Sequence, residues 1–196
     1  MNFIEVQDKE IFDFVYSDME KQFPKSELRP YEKIYRDVFS EKPYKMAVLK
    51  DNNDIVGYIT YFEKEFIWVD YLAIIGDSKS RGLGSLILKK LFEHYKDKSG
   101  AYFEVELENP ADSLTTKRIN FYQNIGCEVL DFVYFFANET NILRMNLMYK
   151  PLANKVPKNI FADVEDIFNN GFNCATKEIA LKKMIELNNI DEKTNI

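Results

Sequence analysis

The chain has 196 residues, 46% of them apolar and 30% charged, which suits one ordinary domain with an extension and is too apolar for a disordered chain. Lysine and arginine number 26 against 32 aspartates and glutamates, a net charge of −6, so no cationic face is expected to hold nucleic acid or an anionic membrane. Two cysteines far apart, Cys127 and Cys174, exclude a disulfide framework, and a single histidine, His94, leaves little room for histidine-based zinc sites or Ser-His-Asp chemistry.

In chain order, residues 2–6 read as a first strand. Asp8 is a candidate N-cap for a helix with Ile11, Phe12, Val15 and Met19 on one face, ending before Phe23-Pro24. A second helix starts near Pro30 and runs to about Ser40, with Ile34 and Val38 inward. Strands follow at 44–50 and 55–64, joined by the four-residue loop DNND, and then at 66–75, apolar on both faces apart from Asp70. A glycine-bearing turn, 76–85, leads into a helix with Leu83, Leu86, Ile87, Leu91 and Tyr95 as its stripe. Residues 101–108 alternate strictly: Phe103, Val105 and Leu107 face one way, and Tyr102, Glu104, Glu106 and Glu108 the other. A helix at 115–126 stops at Gly126, and 127–136 and 141–150 read as two closing antiparallel strands. Beyond Pro151 come two short amphipathic helices, near 160–170 and 175–188, the second with Ile179, Ala180, Met184 and Leu187 as its stripe.

The order β-α-α-β-β-β-α-β-α-β-β plus a helical tail predicts an α/β (α+β) fold with a mixed sheet rather than a doubly wound parallel one. The expected division is a domain over 1–150 and a helical extension over 151–196, packing on the core or on a second subunit. No apolar run reaches membrane-spanning length, and MNFIEVQDKE has neither the basic head nor the apolar core of a leader, so a cytoplasmic location is expected.

Gly82-Leu83-Gly84 stands between a buried strand and a helix. There, first-turn N–H groups lack partners, the helix dipole adds positive charge, and glycines let an anion approach the backbone. Lys79 and Arg81 add charge. Taken alone, two glycines also fit a plain tight turn. A dinucleotide fingerprint would need glycine at Ile87, and a Walker-type loop would need Lys after Gly84, where Ser85 stands.

Lys79-Ser80-Arg81-Gly82-Leu83-Gly84 resembles the Gln/Arg-x-x-Gly-x-Gly/Ala signature of the GNAT superfamily of N-acetyltransferases. Leu72-Ala73-Ile74 precedes it at that family's spacing, and Arg118–Cys127 resembles its second signature, R-I-x-F-Y-x-x-x-G-F. Lys79 in place of Gln or Arg keeps a donor but loses the planar fork, and Cys127 replaces the usual Phe. The resemblance covers about residues 1–150. It implies the GNAT fold, a mostly antiparallel central sheet flanked by helices with a V-shaped split between the fourth and fifth strands. It implies that acetyl-CoA is the co-substrate, with no metal, and lies in that split. The pantetheine arm would pair near Leu72 and Ile74, the pyrophosphate would sit on the N–H groups of residues 81–85 within a cofactor-binding loop of Lys79, Ser80, Arg81, Gly82, Leu83, Gly84 and Ser85, and a backbone N–H near Ala73 would polarise the thioester.

By the same resemblance Tyr122 matches the tyrosine that protonates the leaving thiolate; otherwise it is a helix tyrosine packing on its apolar side. Trp68 stands where the histone-modifying branch has its glutamate base. Candidates to receive the amine proton are therefore Glu106, Asp70 and Glu104, in that order. Acceptor recognition would fall to the 23–31 segment, which resembles an F-P-x-x-E-x-R-P stretch of small bacterial members. Its Glu27, Arg29 and Tyr31 are candidates, with Glu27 and Arg29 as a loop-shaping ion pair, and Tyr134 on the closing hairpin is another. The expected activity is acetyl transfer from acetyl-CoA to a primary amine of a small molecule, amino acid or peptide in a ternary complex, by a monomer or homodimer. A non-catalytic acyl-CoA-binding sensor and a plain structural domain are the alternatives.

Overall fold

A computed structural model describes residues 1–40, 42–76, 82–153, 156–172 and 174–190, and they fall into two units, Met1–Lys98 and Ser99–Ile196. The first unit holds β1 (Asn2–Glu5), α1 (Lys9–Gln22), α2 (Tyr31–Val38), β2 (Tyr44–Asp51), β3 (Asp54–Glu63), β4 (Ile67–Ile74) and α3 (Leu83–His94). Asp8 starts α1 because its carboxylate accepts the N–H groups of Glu10 and Ile11 at 2.7 and 3.1 Å. The helix then buries Phe12, Val15, Tyr16 and Met19.

The four strands pair in sequence order, each antiparallel to the next. The turn between β2 and β3 is tighter than the four residues expected. Asp51 pairs with Asp54, so only Asn52 and Asn53 turn, with Asn52 at φ 52°. Asparagine tolerates that left-handed conformation without the Asn-Gly signal. In β4, Val69 pairs with Tyr61 and Tyr71 with Thr60, so Asp70 is an extra residue, a β-bulge. Gly57 on β3 lies so close to its neighbours that a Cβ there would be 2.9 Å from the Ala73 carbonyl and 2.9 Å from the Ile87 side chain. Its bare backbone lets α3 lie against this end of β3 and β4.

The second unit holds β5 (Gly100–Glu106), α4 (Ser113–Asn124), β6 (Glu128–Val129), β7 (Tyr134–Ala137), β8 (Ile142–Pro151), α5 (Ile160–Ile167), a π-helical turn (Phe168–Phe172) and α6 (Lys177–Leu187). Long β8 pairs antiparallel with β5, and also with β6 and β7. The expected strand 127–136 is thus broken in two. Asn188, just past α6, accepts the Val133 N–H at 2.8 Å and donates to its carbonyl at 3.0 Å, taking groups that a strand partner would use. Gly126 ends α4 at φ 84°, and a Cβ there would also meet the Lys150 ammonium at 2.7 Å.

The helices after β8 are held on strands of their own unit. The Tyr102 hydroxyl donates to Asp163 of α5 at 2.5 Å, Thr176 donates to the Asn138 carbonyl at 2.6 Å, and Lys183 lies over the Phe135 ring at 5.6 Å. In α6 the inward residues are Ala180, Leu181 and Met184, while Ile179 and Leu187, expected in the stripe, are each 55% exposed. Among the described residues no helix is long and apolar enough to cross a membrane.

Candidate active site

Two glycines with positive φ, Gly76 (63°) and Gly82 (73°), flank the passage from β4 to α3. Of the expected anion loop, Lys79, Ser80 and Arg81 lie outside the described residues; Gly82, Leu83, Gly84 and Ser85 lie within them. Gly82 offers no side-chain cap, the first helical bond runs from the Leu86 N–H to the Gly82 carbonyl at 3.0 Å, and the first turn has no acidic residue. The N–H groups of Leu83, Gly84 and Ser85 therefore have no acceptor within α3. Elsewhere among the described α-helices, α1, α4 and α5 have side-chain caps, and α2 and α6 carry an acid in the first turn. Only α3 has neither.

On β4 the register decides which amides are turned which way. The Ile75 N–H donates to the Val56 carbonyl at 3.0 Å, and Ile74 stands opposite Gly57. By alternation Ala73 and Tyr58 form the next hydrogen-bonded pair, and Leu72 and Ile74 turn their amides away from β3. The Ala73 N–H, expected as the thioester donor, is committed to the sheet; Leu72 and Ile74 carry the outward groups. Gln22 of α1 already donates to the outward Ile74 carbonyl at 3.1 Å.

The bulge brings Asp70 into a buried polar cluster. Its Oδ2 accepts from the Tyr44 hydroxyl at 2.6 Å and lies 3.8 Å from Nη1 of Arg29. Thr60 is 2.9 Å from the Tyr44 hydroxyl and accepts the Tyr71 N–H at 3.1 Å. Arg29 lies over the Tyr44 ring at 4.4 Å and donates to Asp37 at 3.4 Å. Its backbone is pinned as well, since its N–H donates to the Tyr71 hydroxyl at 3.0 Å and its carbonyl accepts from Tyr16 at 3.1 Å. Burial raises the Asp70 pKa, opposed first by Arg29 and then by the Tyr44 hydrogen bond. Tyr44 is itself pushed well up, by burial first and then by the Asp70 charge.

Arg29 thus shapes its loop through Asp37 and Asp70. The expected partner Glu27 is exposed and contributes its backbone carbonyl, which accepts from Tyr71 at 2.7 Å. Tyr31 packs between the helices, edge-on to Phe12 at 5.3 Å and donating to Asp13 at 2.6 Å.

In the second unit the carboxylates of β5 have partners. Glu104 accepts from the Tyr134 hydroxyl, and Glu106 is ion-paired with Arg118 of α4. Tyr122 lies on Phe103 with ring centroids 4.8 Å apart. Burial first, then the neighbouring Cys127, pushes its phenol up to about 12, and the hydroxyl has no hydrogen-bond partner among the described residues. It is a phenol that stays protonated through the physiological range. The described residues contain no group of three or more His, Cys, Asp or Glu that could hold a metal ion.

Sequence reasoning passed over Tyr44, Thr60, Asp37 and Tyr71. Tyr44 and Thr60 fall on alternating strand positions that read as ordinary core, and Asp37 reads as a polar residue of an amphipathic helix. The only available signal was Asp70 itself, an acid in an otherwise apolar strand that calls for a buried partner.

Residues 12–127 match the Acetyltransferase (GNAT) family, and the chain belongs to it. It is 30% identical over 116 residues to YjbC of Bacillus subtilis (strain 168), a protein named for acetyltransferase activity; the match covers 55% of this chain and 53% of that one. The chain therefore spans about half the length of that curated relative. Among solved structures, a Bacteroides thetaiotaomicron chain named as a GNAT-family acetyltransferase is similar at a TM-score of 0.72 and 22% identity, over 87% of this chain and 99% of that one. Arabidopsis thaliana Naa50, solved with the bisubstrate analogue CoA-Ac-MVNAL, is similar at a TM-score of 0.58 and 19% identity, over 77% of this chain and 98% of that one. At these identities the structures establish a shared fold.

Proposed function

We propose that this chain is an acetyl-CoA-dependent N-acetyltransferase that acetylates a primary amine of a small molecule, amino acid or peptide by direct attack in a ternary complex. Membership of the family supports acyl transfer, and the single observation that carries the cofactor is the bare start of α3. Three first-turn amides with neither a side-chain cap nor a competing carboxylate among the described residues fit a diphosphate. The outward amides of Leu72 and Ile74 suit an extended pantetheine arm, and one of them replaces Ala73 as thioester donor. When bound, the coenzyme supplies an activated acetyl group.

The chain's own residues divide the proton work. Asp70, a partly shielded carboxylate with a raised pKa, is better suited to receive the proton of an acceptor ammonium than Glu106, which is paired with the Arg118 guanidinium, or Glu104, which is bonded to Tyr134. Tyr122 donates its phenolic proton to the departing thiolate, which burial and the lack of another partner leave it free to do. Within the first unit Glu27, Arg29 and Tyr31, and within the second Tyr134 acting through Glu104, stay the residues proposed for acceptor recognition.

Titrating acetyl-CoA into the protein and assaying free thiol over a panel of primary amines tests the proposal. Saturable binding with amine-dependent thiol release supports it. Binding with no release for any amine favours an acyl-CoA sensor, and no binding removes the coenzyme altogether.

A further inference from the structure

We propose that Arg29 is a positioning residue for Asp70, holding the bulge carboxylate so that its Oδ1 receives the proton the acceptor ammonium gives up before attack. The inference rests on the acetyl-transfer reading above and deepens it. In this step an N–H bond of the ammonium breaks, an O–H bond forms on Asp70, and the electron pair stays on nitrogen to attack the thioester carbon.

The geometry separates the two carboxylate oxygens. Oδ2 is turned inward to the Tyr44 hydroxyl and the guanidinium. Oδ1 has no hydrogen-bond donor among the described residues, and the side chain as a whole keeps 7% of its surface exposed. One oxygen is therefore anchored while the other is left to an incoming group.

Arg29 acts on this carboxylate through its field. Its side chain is only 11% exposed, and its Nε and Nη1 atoms are buried without hydrogen-bond partners. The 3.8 Å separation from Asp70 is an electrostatic contact in which no proton is shared. The Asp37 contact shapes the loop, but it leaves Nε and Nη1 unpaired at a cost in free energy that loop-shaping alone does not account for. Asp37 does not absorb this charge. It is drawn to Lys42 at 2.7 Å, closer than its 3.4 Å contact with Arg29.

The groups that face Asp70 come from every element around it. They are Arg29 from the α1–α2 connection, Lys33 and Asp37 from α2, Tyr44 from β2 and, through Tyr44, the neutral hydroxyl of Thr60 on β3. Arg29, Lys33 and the Tyr44 hydrogen bond favour the carboxylate, whereas burial and Asp37 disfavour it. Removing Arg29 should make Asp70 harder to ionise. The acid limb of the rate then moves to higher pH, and the deficit closes once the pH exceeds the new midpoint.

The test is kcat/KM against pH for wild type, Arg29→Met, Arg29→Lys, Tyr44→Phe and Asp70→Asn, using an amine from the panel, with acetyl-CoA affinity measured for each. In Arg29→Met the acid limb should rise by about one pH unit, a tenfold deficit on the acid side that vanishes at high pH. Arg29→Lys, which keeps the charge, should recover most of the shift, and Tyr44→Phe should raise the limb as well. A loss of equal size at every pH, an unmoved limb, or a wild-type limb in Asp70→Asn overturns the assignment. If circular dichroism shows Arg29→Met unfolded, Arg29→Lys and Tyr44→Phe decide on the same criteria. If acetyl-CoA binds but no amine is acetylated, the transfer reading has failed independently of this one. Carbon-13 NMR titration of the Asp70 carboxyl then tests the pair directly. A higher midpoint in Arg29→Met supports it and an equal midpoint refutes it.

Discussion

The two units treat the same kinds of group in opposite ways. In the second, α4 starts on an Asp112 cap, Glu104 is bonded to Tyr134, and Glu106 is paired with Arg118. In the first, α3 starts with no cap, and Asp70 is held by one oxygen only. In the second unit the Tyr122 hydroxyl has no hydrogen-bond partner among the described residues, and neither does the buried Tyr149 hydroxyl. A fold that satisfies its polar groups so widely marks the exceptions as places prepared for something else. The contrast predicts that substitutions at unengaged groups cost function, and that substitutions at engaged groups cost stability.

The largest effect is expected at Tyr122. Replacement by phenylalanine should lower kcat about 10²-fold while leaving acetyl-CoA affinity nearly unchanged, as for loss of a general acid. Steady-state kinetics beside calorimetry would read this, and undiminished turnover would remove Tyr122 from the chemistry. Next is Gly84→Asp, which places a carboxylate among the free amides of α3. Acetyl-CoA affinity should fall at least tenfold with little change in melting temperature. A loss of stability without loss of affinity would return α3 to the status of an ordinary helix.

The engaged side of the contrast gives smaller numbers. Asp112→Ala should cost about 1 kcal/mol in a denaturant titration, because it strips the cap from α4. Tyr102→Phe should cost about 1 kcal/mol through the lost hydrogen bond to Asp163. Neither should alter acetyl-CoA affinity, and a large change in affinity from either would break the division between the two classes. The smallest effect concerns Cys127. Burial pushes its thiol up to about 12, so at pH 8 almost no thiolate is present in the folded chain. A thiol reagent should label it only after denaturation, as peptide mapping would show.

Much of this was legible from local chemistry. Asp8 as a cap, Gly126 as a stop and the alternation of β5 as far as Glu106 each depend on neighbours in sequence and stand in the structure, although β5 ends there and Leu107, read as inward, is 40% exposed. The glycines before α3 were legible for the same reason. Features that depend on distant residues were not. A bulge at Asp70 is a property of β3 and β4 together, and it alone brings the acid onto the face of Tyr44. The break between β6 and β7 depends on Asn188, more than fifty residues downstream in the chain. Arg29 looked near enough to Glu27 to pair with it, yet the fold supplied Asp37 and Asp70, which no spacing rule links to it. In α6 the stripe was read correctly at Ala180 and Met184, but Leu181 is buried where Ile179 and Leu187 were expected.

Titration of acetyl-CoA into the folded protein by calorimetry, repeated with Gly84→Asp, tests the central claim most directly. The start of α3 as a diphosphate site requires saturable binding that weakens at least tenfold in the variant. Absence of saturable heat in the wild type, or equal affinity in both proteins, would contradict it.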